Sequence, residues 1–117
     1  TLRIDYDATD ATVISYISIQ FEDERNNIYF ANDNDGDGVA EYVIHDQMFP
    51  GTYTVKGIYL SDDSYYNNYS SYNRDGSLDG NESSSTHDLN LSGLDFTIEN
   101  KNTIVFEGSR LVYLSSP

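Results

Sequence analysis

The chain has no cysteine and no tryptophan, and only one methionine, two prolines and six basic residues among 117. Without cysteine there can be no disulfide, no thiolate nucleophile and no cysteine-ligated zinc. Six Lys and Arg stand against twenty Asp and Glu, a formal charge of −14. Nucleic-acid affinity depends on cations that neutralise phosphates, and anionic membranes recruit the same cations, so neither is an expected partner. No apolar run approaches the roughly 18 residues of a membrane-spanning helix. Gly-rich phosphate loops are also missing. A small domain without disulfides often depends on another staple, and a bound metal is one.

What is present is a strand pattern. Val13, Ile17, Ile19 and Phe21 sit among polar or smaller neighbours, and Ile28 and Phe30 repeat the two-residue period. Residues 52–60 read Thr-Tyr-Thr-Val-Lys-Gly-Ile-Tyr-Leu, rich in β-branched and aromatic side chains. Leu89, Leu91, Leu94, Phe96 and Ile98 continue the pattern, with a break at Ser92-Gly93. A last hairpin is expected from 103–106 and 110–114. No segment carries helical periodicity with caps. The expectation is one all-β domain over 1–117, an antiparallel immunoglobulin-like β-sandwich of seven to eight strands. The stretch 61–88, rich in Ser, Asn, Tyr and Asp, reads as one long loop. The chain opens inside a strand-like segment, Leu2-Arg3-Ile4-Asp5-Tyr6, as expected of a piece of a longer polypeptide.

The acids are unevenly placed. In an antiparallel sandwich, consecutive connections alternate between the two ends. Counting strands puts Asp7, Asp10, Asp33, Asp35, Asp37, Asp62, Asp63, Asp75, Asp79, Glu82 and Asp88 at one end, more than half of the twenty acids. Carboxylates this close repel one another unless a cation sits among them. The sharpest motif is Asp33-Asn34-Asp35-Gly36-Asp37-Gly38, the D-x-D-x-D-G opening of a calcium loop. Side chains at alternate positions converge on one hard cation when the loop curls, and an all-oxygen set selects Ca2+ over transition metals. The twelfth position is Ile44 rather than Glu, so the site needs completing by Glu41 or by acids of another loop, Asp62 and Asp63 first. Asp75-Gly76-Ser77-Leu78-Asp79-Gly80 is a weaker echo. The plain alternative for each is a polar turn or a charged loop edge, since Asn, Asp and Gly form turns.

Tyr65, Tyr66, Tyr69 and Tyr72 crowd the long loop. Exposed, they would stack on sugars or anchor a protein partner; packed inward, they would hold the loop down. Catalysis finds little support. His45 and His87 each precede an Asp without a nucleophile elbow. With this many acids, some carboxylate pair will always match a glycosidase spacing. An enzyme is not expected.

Three segments together carry a family likeness: Ile17-Ser18-Ile19-Gln20-Phe21 followed by Ile28-Tyr29-Phe30; Pro50-Gly51-Thr52-Tyr53-Thr54-Val55 leading to Ile58-Tyr59-Leu60-Ser61-Asp62-Asp63; and Leu91-Ser92-Gly93-Leu94-Asp95-Phe96-Thr97-Ile98. Over about residues 10–100 the chain resembles the bacterial immunoglobulin-like (Big-type) repeats of secreted adhesins and exoproteins. Residues 101–117 fall beyond the pattern, as an extra strand pair or a junction. The resemblance implies an extracellular location, secreted or at the cell surface, and a metal role for Asp62 and Asp63. It also implies a structural or adhesive role, with neighbouring domains of the same polypeptide as partners. A glycan or surface protein at the Tyr-rich loop is the alternative.

Overall fold

The computed structural model describes residues 2–8, 14–33, 38–45, 47–62, 69–80, 84–100, 103–108 and 111–114, of which 6–8, 14, 15, 62 and 111–114 are described by backbone alone. The fold is all-β. Its strands are β1 (Leu2–Ala8), β2 (Ile14–Glu22), β3 (Ile28–Asp33), β4 (Val39–Tyr42), β5 (Gly51–Asp62), β6 (Tyr69–Asn73), β7 (Ser77–Gly80), β8 (Ser84–Thr86), β9 (Phe96–Asn100), β10 (Thr103–Phe106) and β11 (Leu111–Leu114). One 3-10 turn, Leu91–Leu94, interrupts them where Ser92-Gly93 breaks the strand pattern. No helix among the described residues is long and apolar enough to cross a membrane.

The main sheet runs β11-β1-β4-β3-β2-β5-β6-β7-β8, and a smaller pair, β9 and β10, joins through the start of β5. Pairing is antiparallel throughout except between β1 and β11, which run parallel. The all-β sandwich expected from the sequence is what forms, but with eleven strands among the described residues rather than seven to eight. Three of the extra strands, β6 to β8, come from the stretch read as a loop. Their inward positions are Ser70, Tyr72 and Leu78 rather than Val or Ile, so they carry little strand signal on their own. The expected final hairpin is also corrected. β10 pairs back onto β9, and β11 leaves to add to β1.

β2 organises the core. Ile17, Ile19 and Phe21 face inward and are fully buried; Tyr16, Ser18, Gln20 and Glu22 face outward. On β3, Tyr29, Ala31 and Asp33 match the inward set, and Ile28, Phe30 and Asn32 the outward set. On β5, Val55 and Ile58 both point inward, three residues apart. This is possible because the register with β2 shifts between Gln20 and Phe21, leaving one extra residue in β5, a bulge. Below that bulge β5 crosses to β9, with Tyr53 opposite Phe96. The two layers meet in an aromatic cluster. Phe96 stacks on Tyr53 at 5.3 Å and meets Phe21 edge-on at 5.4 Å.

The β2–β3 turn is built on one carboxylate. Asp23 accepts the Arg25 and Asn27 amides, both at 2.9 Å, the Asn27 side-chain amide at 2.8 Å and the Tyr29 hydroxyl at 3.4 Å. These bonds let Asn26 take a left-handed backbone, φ 65°. Burial by itself would raise the Asp23 pKa, but the hydrogen bonds outweigh it and hold the pKa below the ordinary 3.8. A depressed carboxylate stabilises the fold above its unfolded pKa, and that contribution is lost as pH falls through the folded value. Asp23→Ala is therefore expected to cost about 2 kcal/mol near neutral pH. In urea titrations the gap between wild type and variant should hold from neutral pH down towards 3.8 and narrow as the pH falls further, through the depressed folded value. A gap that stayed the same size at low pH would mean the charge on Asp23 contributes nothing.

Candidate functional site

β1, β3 and β5 run one way, and β2, β4 and β6 the other. Ala8, Asp33 and Asp62 therefore end their strands at the same end of the sheet, as strand counting expects. β3 and β5 flank β2 there: Asp33 lies opposite Ile17, and Asp62 opposite Ile14. Asp35, Asp37 and Asp63, with Tyr65 and Tyr66, lie outside the described residues.

Asp33 is the best-defined acid of this end. The inward parity of β3 carries it onto the core face, and it is only 3% exposed. Its Oδ2 accepts the Gly38 amide at 3.2 Å. This bond spans the D-x-D-x-D-G segment from first residue to sixth and closes it into a ring. Gly38 takes φ 86°, which a residue with a Cβ adopts only with strain. β4 starts at the next residue.

Three of the predicted ligands, Glu41, Asp75 and Asp79, are not brought to Asp33. Glu41 pairs with Asn32 in the register, on the outward face, and forms an exposed ion pair with Arg3 at 3.5 Å. Asp75 lies in the β6–β7 turn, at the end of that hairpin away from Asp33. It accepts the Ser77 amide at 2.9 Å and the Ser77 hydroxyl at 2.6 Å, an ordinary side-chain-closed turn. These two bonds hold its pKa below the carboxylate norm. Asp79, on β7, accepts from the Asn73 side-chain amide at 3.0 Å and from Ser84 at 3.2 Å. The strand count behind the eleven-acid cluster fails at this point, because β6, β7 and β8 turn the chain twice within the supposed loop. Among the described residues, no three His, Asp or Glu side chains gather as a metal site.

Both histidines have structural contacts. His87 Nδ1 accepts the Leu89 amide at 3.1 Å, which leaves Nε2 to donate to the Asn73 carbonyl at 2.7 Å. His45 Nδ1 accepts the Gln47 amide at 3.3 Å. At the end opposite Asp33, a cleft of about 340 Å³ lies between the β2–β3 turn and the start of β5. Its acids hold backbone, Asp23 as above and Glu24 through the Thr52 amide at 2.9 Å. Arg25 lies over the Phe49 ring at 3.9 Å.

The tyrosines divide. Tyr72 is 4% exposed and belongs to the core. Tyr69 faces outward and stacks on Tyr59, ring centroids 5.7 Å apart and planes 22° apart. Tyr16, on β2, meets Tyr59 edge-on at 6.2 Å and donates its hydroxyl to Asn32 Oδ1 at 3.3 Å. Sequence reasoning missed Tyr16 and Tyr59. Their signal was available, since both sit between inward residues of strongly patterned strands. Compared with known proteins, the chain matches no family model, no curated protein and no solved structure, so the arrangement of its own residues carries the functional reading.

Proposed function

We propose that the chain is a calcium-binding β-sandwich module, a structural or adhesive unit of a secreted or cell-surface bacterial protein rather than an enzyme. The observation that carries this reading is the Gly38-to-Asp33 hydrogen bond. It joins the first residue of the D-x-D-x-D-G segment to the sixth, and a calcium loop of that form uses carboxylates at alternate positions to hold one hard cation. The remaining oxygens would come from Asp35 and Asp37 and from the segment after Asp62, which leaves from the same end. Glu41 is no part of this set. The location, and the neighbouring domains of the same polypeptide as partners, rest on the likeness to bacterial immunoglobulin-like repeats.

The test is thermal unfolding in EDTA and then in millimolar CaCl2, with MgCl2 as the control. At about ten times Kd, calcium adds about 1.4 kcal/mol by mass action, a rise of several degrees. Asp35→Ala should abolish the rise, and Asp75→Ala should leave it intact. An unchanged melting temperature in calcium would end the calcium reading and leave the acids as a solvated surface.

A further inference from the structure

We propose that the outward face of the main sheet is a binding platform for a neutral polysaccharide, centred on Tyr16, Tyr59 and Tyr69. This goes beyond the calcium reading and stands on different residues. The three rings project from the neighbouring strands β2, β5 and β6 as diagonal neighbours in the register. Across those strands they cover about 10 Å, twice the strand spacing and comparable to a pair of linked sugar rings. Phe30 continues the strip onto β3, opposite Gln20 and 48% exposed. Aromatic faces bind the C–H surfaces of sugars, while amides and hydroxyls beside them bind the sugar hydroxyls.

The second observation is how charge is sorted. In a chain of net charge −14, this strip carries no charged side chain. Charge on the same face lies around it: Glu22 with Lys56 at 3.4 Å, Arg3 with Glu41 at 3.5 Å, and Asp79 beyond Ser71. Between them lie Gln20, Asn32 and Ser71. A neutral, hydroxyl-rich polymer complements such a surface, whereas the net charge of −14 on the chain repels uronic-acid polymers and nucleic acid.

The third observation lies at the centre of the strip. Ser18 faces outward between Asn32 and Tyr59, is covered to 6% exposure, and its Oγ has no hydrogen-bond partner. Buried hydroxyls are normally bonded. Here the missing bond is one that a ligand hydroxyl or a bridging water can supply when a sugar enters beside Tyr59.

The experiment is affinity electrophoresis of the 117-residue chain through gels containing a soluble neutral glucan, mannan, xylan or galactan, with alginate as the anionic control. Retardation is expected on at least one neutral polymer and not on alginate. Tyr59→Ala and Tyr69→Ala should each weaken apparent affinity about tenfold. Tyr59→Phe, which keeps the ring, and Ser84→Ala, beyond the strip, should retain it. Circular dichroism and thermal melts establish that each variant folds, and Tyr69→Ala carries the test if Tyr59→Ala does not. No retardation on any neutral polymer overturns the proposal, as does retardation that survives both alanine variants. So does concentration-dependent dimerisation in sedimentation that Tyr59→Ala removes, which would assign the strip to a second copy of the chain.

Discussion

Phe96→Ala is expected to cost about 3–5 kcal/mol, a large part of the stability of a domain this size. Phe96 is fully buried, and its ring touches those of Phe21, Tyr53 and Phe106 at 5.4, 5.3 and 5.7 Å. These come from β2, β5 and β10, so one side chain couples the main sheet to the small one. Removing it takes away apolar burial and leaves a cavity between layers that are each held by backbone bonds and so collapse poorly. Urea unfolding with an unchanged m-value and a lowered midpoint is the expected readout. Phe96→Leu, which keeps more of the volume, should recover part of the loss. A loss below about 1 kcal/mol for the alanine variant would mean that the layers do not pack through this cluster.

The second large effect is at Asp95. One edge of β5 pairs with β9 at Gly51 to Tyr53 and with β6 from Gly57 to Ser61, which leaves a gap between the two ladders. Side chains fill it. Asp95 Oδ1 accepts the Val55 amide at 2.8 Å, and Arg74 Nη1 donates to the Val55 carbonyl at 2.8 Å. The two side chains also join each other in a two-pronged ion pair at 2.7 and 2.9 Å, and this pairing raises the Arg74 pKa. The Arg74 amide adds a bond to the Lys56 carbonyl at 2.9 Å. Asp95→Ala leaves the Val55 amide without its acceptor and the guanidinium with the Val55 carbonyl but without its counter-charge. The Arg74 side chain is 32% exposed, so water screens part of that loss. The expected cost is about 2–3 kcal/mol. Arg74→Ala should cost less, because Asp95 keeps its bond to Val55. A double-mutant cycle reads the coupling, and additive losses would mean the pair acts as two separate contacts.

Legibility of the fold followed side-chain chemistry. β2, β3 and β5 were visible because Ile17, Ile19 and Phe21, and Ile28 and Phe30, keep a two-residue period and 52–60 is rich in β-branched and aromatic residues, and these are local properties. β6, β7 and β8 were not, because Ser70 and Tyr72 face inward only once β5 has offered an edge to pair with. The candidate site split the same way. Asp33 and Gly38 stood out in a motif whose spacing has a chemical reason, and the structure closes that motif with a hydrogen bond. Asp75 carried a similar motif, yet Ser77 beside it satisfies the carboxylate as a turn. Composition alone could not separate those two uses of Asp and Gly.

By itself, then, the sequence determined the all-β class, the central strands, the acidic character and the common end shared by Asp33 and Asp62. All of these depend on residue type, on two-residue periodicity or on counting reversals through strong strands. Tertiary structure decided the rest: that β11 leaves β10 to run parallel with β1, that Tyr72 is core while Tyr16, Tyr59 and Tyr69 line the outward face, and that Glu41 faces away from Asp33. Each of those depends on which strand edge is offered to which partner. Pairing between residues far apart in the chain is set by the packing of the whole sandwich, not by any local stretch.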